Sequence, residues 1–139
     1  MERSLIQKIT LGFGIVYALV GVLGFIPGIT VPAADPGPVP GEGLLLGIFA
    51  VNVVHNLAHL LVAAILIAGG LSAARVFTVN KVVAGVFLLL VVASIIAPIV
   101  EGVAINPPDT ALHLASALLT GYLGFVAPRG MAGQVGSRL

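Results

Sequence analysis

The sequence predicts an all-α integral membrane protein with four transmembrane helices, arranged as two tandem two-span units. Three observations carry this. The 139 residues are 59% hydrophobic and only 8% charged, whereas soluble domains carry roughly 25% charged residues. Long apolar stretches recur along the chain, separated by short polar or Pro-rich segments. A nine-residue pattern also occurs twice: Asn52-Val-Val-His55-Asn-Leu-Ala-His59-Leu60, then Asn106-Pro-Pro-Asp109-Thr-Ala-Leu-His113-Leu114. Each copy runs into an apolar stretch.

The first span is expected over 9–26, uncharged throughout and ended by Pro27-Gly28. About 20 residues cross the hydrocarbon core, so eighteen suffice for a span. A cleaved signal peptide is the competing reading, but its apolar core would be shorter, about 7–15 residues. The stretch 27–43 holds five prolines and reads as an extended outer loop. Residues 44–51 are apolar but short, and would lie at the interface or extend the second helix. The second span is expected over 52–71, capped by Asn52, and 72–81 reads as a polar connection. The third is expected over 82–100, with Pro98 kinking or ending its last turns. The fourth is expected over 107–126: Asn106 caps it, Pro107 takes the first helical position and Asp109 the first turn. The Gly-rich tail 129–139 reads as mobile.

Charge sets the orientation. In a four-span arrangement Arg3, Lys8, Arg75, Lys81, Arg129 and Arg138 share one side, while the other side holds Asp35, Glu42, Glu101 and Asp109. Six basic residues would share a side by chance about one time in thirty, so both termini are expected in the cytoplasm of a bacterial inner-membrane type of arrangement. Six scattered cations make no basic patch, which argues against nucleic-acid binding. The absence of Cys excludes disulfides and thiolate chemistry.

The two motif copies lie 54 positions apart, and Gly14 with Gly85 and Pro27 with Pro98 are each 71 apart. Each unit is then a span, an outer loop, the Asn/His pattern and a second span. Two units of equal orientation would be related by a pseudo-two-fold axis along the membrane normal. Small-residue pairs at helical spacing, such as Gly14 with Ala18 and Ala64 with Ala68, suit close helix packing.

As structural residues, Asn52 and Asn106 cap helices, and His55 and Asp109 resemble the second half of a capping box. His59 and His113 lie seven residues past the caps, about 10 Å into their helices. Polar side chains at that depth face the bundle interior or a cavity. His55 and His59 share a helix face, as do Asp109 and His113, so the symmetry would gather His55, His59, Asp109 and His113 into one cluster, with Glu101 nearby. Three uses are open. The first is a structural hydrogen-bond link, His59 to His113 or each to a backbone carbonyl. The second is a divalent metal such as zinc held by three His and one Asp. The third is a tetrapyrrole, haem or chlorin, with His59 and His113 as axial ligands. No Ser sits beside a His in a nucleophile motif, so no enzymatic activity is expected. Without a polar stripe on the first and third spans, a pore is not expected either.

The run Gly47-Ile-Phe-Ala-Val-Asn52-Val-Val-His55-Asn-Leu-Ala-His59-Leu60, the first span from Gly14 to Gly28, and Asn106 to Leu114 with its Asp-x-x-x-His-Leu together resemble a family of small bacterial four-span membrane proteins. It is known as domain-of-unknown-function family 4383. Val53 stands where the family pattern commonly has Pro after the Asn. The resemblance implies a four-span bundle and no established activity. The expected role is therefore a small non-enzymatic accessory or structural membrane protein. Its expected partners are the bilayer, other membrane subunits or further copies of itself. Metal or tetrapyrrole binding at the His cluster is the alternative.

Overall fold

The computed structural model describes residues 3–34, 39, 41–96 and 102–128. Four α-helices carry the chain: α1 Leu5–Leu23, α2 Val53–Gly70, α3 Val76–Ile96 and α4 Pro107–Gly121. The first three are long and apolar enough to cross a membrane. A π-helical turn, Tyr122–Val126, continues α4.

Helix α1 begins earlier than the onset of the apolar stretch suggests, because Ser4 and Gln7 form a capping box. Gln7 N–H donates to Ser4 Oγ (3.3 Å), and Ser4 N–H donates to Gln7 Oε1 (3.1 Å). Two orphan donors are thereby satisfied, and the helix tolerates Lys8 in its second turn. Helix α3 likewise starts six residues before the expected span, at Val76 rather than 82. Its polar residue Asn80 is buried, donating through Nδ2 to Thr10 Oγ1 on α1 and to Val76 O, both at 2.8 Å. Pro98, Glu101, Asp35 and the tail 129–139 lie outside the described residues.

The segment 44–51, expected at the interface or as an extension of the second helix, does not extend α2. It forms most of a hairpin, β2 Gly43–Leu45 and β3 Phe49–Val51, and β1 Thr30–Pro32 from the expected loop pairs with β2. The antiparallel order is β1-β2-β3. The turn uses Leu46 at φ 55° and Gly47 at φ 72°. A left-handed Leu is sterically costly, and the two flanking ladders hold it there. Leu45 and Val51 are buried on one face of the sheet, beside His59, and Ala50 is buried on the other, against Ala104.

Helix α1 packs chiefly along α2, and α3 chiefly along α4. Both α1–α2 contacts at Gly14 and Gly70 depend on a missing Cβ. One on Gly14 would meet Ile67 N at 2.9 Å, and one on Gly70 would meet Leu11 N at 2.7 Å. The partner atoms are backbone and cannot swing away. We expect Gly70→Val to cost about 1–3 kcal/mol by overpacking, read as a lowered thermal midpoint in detergent. Of the other expected small pairs, Ala64 and Ala68 face outward and seal nothing.

The core is centred on Tyr17, Ala63, Leu66, Val83, Phe87 and Ala117. Leucines face outward on every helix, including Leu19, Leu61, Leu89 and Leu118, all more than half exposed. Polar groups are buried instead: Gln7, Thr10, Asn56, Asn80, Ser116 and Thr120 are all nearly inaccessible. The first and third helices thus carry three buried polar residues, Gln7, Thr10 and Asn80, in addition to those of the second and fourth. Two of them, Gln7 and Asn80, lie in stretches that read as polar flanks of the spans.

Candidate functional site

Asn52 caps α2 by accepting from His55 N–H (2.9 Å), and Asn106 caps α4 by accepting from Asp109 N–H (3.2 Å). The second motif closes a full capping box, since Asn106 N–H donates to Asp109 Oδ2 at 3.1 Å. The first does not, because the His55 side chain is committed elsewhere. Its Nδ1 lies 2.6 Å from Ala104 O and 3.0 Å from Ala50 O. Carbonyls only accept, so Nδ1 carries the proton and Nε2 keeps its lone pair.

The two motifs are cross-braced. Asn52 Nδ2 donates to Gly102 O, and Asn106 Nδ2 donates to Ile48 O, both at 2.8 Å. His55 reaches Ala104, while Asp109 Oδ2 accepts from Ala50 N–H at 3.0 Å. In each exchange the donors and acceptors of one motif find the other motif's corresponding loop.

His55, His59 and His113 come together as expected. All three are buried, and one ligand nitrogen from each lies within 4.8 Å of the others. The ring centroids stand 4.4 Å apart for His55–His59, 5.7 Å for His55–His113 and 6.2 Å for His59–His113. His55 Nε2 and His59 Nδ1 are buried with no hydrogen-bond partner. Each such orphan costs about 1–3 kcal/mol, so these nitrogens sit where a ligand would repay the cost. Three nitrogens bound to one zinc at 2.0–2.1 Å would stand roughly 3.4 Å apart. Side-chain shifts on the order of 1 Å would close the site on an ion.

Asp109 is beside this group and not within it. Its carboxylate is held by the Ala50 and Asn106 amides, which makes it a brace for the hairpin. Glu101, expected nearby, lies outside the described residues. A small cavity of about 80 Å³ adjoins the cluster, bounded by His59, Asp109, Val20, Leu23, Phe49 and Leu112.

Two aromatic residues that the motif did not reveal hold the imidazoles in place. Tyr17 meets His59 edge-on at 5.3 Å, and Phe87 stacks on His113 at 5.6 Å and 23°. The Tyr17 hydroxyl is in turn bonded to Ser116 Oγ at 2.8 Å, so Ser116 does more than pack. The spacing of His113 and Ser116 on one helix face was the available signal.

The family described as Domain of unknown function (DUF4383) matches residues 7–126. The chain belongs to the DUF4383 family. The match takes in α2, α3, α4, all of α1 but its first two residues and both copies of the Asn/His pattern, so the cross-braced cluster lies wholly within the DUF4383 region. No curated protein matches the chain. No solved structure matches it either.

Proposed function

We propose that this DUF4383 protein is a four-span integral membrane protein in which a buried three-His centre binds a divalent transition metal, zinc being the closest fit. The observation that carries the reading is the convergence of three imidazole nitrogens within 4.8 Å, two of the rings keeping a buried, unpartnered nitrogen. Neutral imidazoles are the commonest metal ligands, and three protein ligands plus one open position is a recurrent zinc arrangement. The adjoining cavity has room for about two waters, at roughly 30 Å³ each, to complete the coordination.

Two alternatives have less support. A hydrogen-bonded link would need the rings bonded to one another or to carbonyls, and only His55 has such partners. A tetrapyrrole would need a slot between His59 and His113, whereas the His55 ring stands close to both. The cavity is also far below the roughly 300–1,000 Å³ of ordinary ligand pockets. The same small volume argues for an accessory, non-enzymatic role, with the ion joining α2 to α4.

The membrane arrangement is part of the proposal. The π-helical continuation brings the helix that begins at Pro107 to a spanning length, and the outward leucines suit acyl chains. Reciprocal bonds at the 54-residue offset support a pseudo-two-fold relation between the halves. The charge distribution supports cytoplasmic termini. Elemental analysis of protein purified in mild detergent tests the metal reading. We expect about one zinc or similar ion per chain after dialysis against trace zinc. A protein that stays metal-free while folded would overturn it.

A further inference from the structure

A broad cleft lies at the opposite end of the bundle from the His cluster. It has a volume of about 810 Å³ and runs between the first half of α1 and the turn after α2. Arg3, Gln7 and Lys8 line it toward the start of α1, and Leu11, Gly12, Ile15 and Leu71 line the rest. On α1 the positions 8, 11, 12 and 15 follow helical spacing and share one face. That face passes from a cation to bare hydrocarbon over roughly 10 Å. Gly12 leaves the floor open, since a Cβ there would meet nothing within 4 Å. Both Ile15 and Leu71 are about half exposed.

A cleft with cations at one end and apolar side chains along the rest matches one amphiphile closely: an anionic head joined to an acyl chain. We infer that this cleft is a binding site for an anionic glycerophospholipid, with the phosphate between Arg3 and Lys8 and a chain lying over Gly12 against Ile15 and Leu71. The inference rests on the membrane reading above and is independent of the metal. A zwitterionic lipid has the same chain, but its cationic head group would be repelled by both side chains. Basic residues near a membrane surface attract anionic lipid, and two of them would favour it on the order of tenfold or more.

The test uses the full chain, stripped of lipid in detergent and offered phosphatidylglycerol or phosphatidylcholine of equal chain length, with retained lipid counted by native mass spectrometry. Wild type should retain phosphatidylglycerol about tenfold over phosphatidylcholine. The R3Q/K8Q double variant should lose that preference while still binding some of either lipid. Gly12→Leu should reduce retention of both. Equal retention of the two lipids by wild type would overturn the proposal, as would a preference that survives R3Q/K8Q. Displacement of the lipid by glycerol phosphate would assign the site to a free phosphate compound instead. Arg3, Lys8 and Gly12 face outward from the bundle, and unchanged thermal midpoints would show that the variants fold. If the membrane reading itself were wrong, the protein would be released from membranes by alkaline carbonate, a result separate from any lipid preference.

Discussion

His59→Ala and His113→Ala should each lower zinc affinity more than about 100-fold, measured by competition with a chromogenic chelator. Loss of an outer-shell partner alone costs 10–100-fold, and these substitutions remove a direct ligand. The same experiment carries a stability arm. An ion that binds only the folded state stabilises it by about 2.7 kcal/mol at 100 times its Kd. Wild type should therefore melt higher in zinc, and the two variants should not. If the cluster were only a packing element, zinc would leave all three proteins unmoved and the variants would simply melt lower. His55→Ala is a less clean probe, because it also abandons the Ala50 and Ala104 carbonyls.

Phe87→Ala should destabilise the bundle by roughly 2 kcal/mol. Phe87 is 1% exposed, stacks on His113 and touches Tyr17. In a water-soluble protein the loss would be about 3–5 kcal/mol. Within a bilayer much of the transfer contribution disappears, because the unfolded side chain rests among acyl chains. What remains is the void: roughly 100 Å³ at about 24 cal/mol per Å³. Thermal unfolding in detergent reads the size of the loss. A second readout follows from the stacking, since a freed His113 ring should weaken zinc binding even though no ligand has been removed. An unchanged affinity would mean that the His113 ring is held adequately without Phe87.

The parts of the fold legible in the sequence were those written in rare residues. Within a chain this apolar, Asn52, His55, His59, Asn106, Asp109 and His113 stand out, and their spacing fixes caps, helix faces and depth together. The clustering of three imidazoles followed from that. The parts that were not legible depend on partners distant in sequence. His55 looks like a capping residue until the Ala104 carbonyl, 49 residues away, is in place. Asp109 reads only as a neighbour of the histidines until its Oδ2 is seen to accept from the Ala50 amide of the hairpin. The hairpin after Gly43 was hidden because short apolar runs give the same periodicity signal as a buried helix. Asn80 reads as a loop residue because a polar side chain in a span is explicable only once Thr10 is seen opposite it.

Ala50 has no functional group of its own, yet its peptide is claimed twice, its amide by Asp109 and its carbonyl by His55. Strand β3 thus works as a latch whose two catches sit on different helices. A ligand reaching the imidazoles from that side would meet these two bonds first. Exchange along that route would then be governed by how often this strand lets go, and a bound ion would leave slowly even where its equilibrium hold is modest.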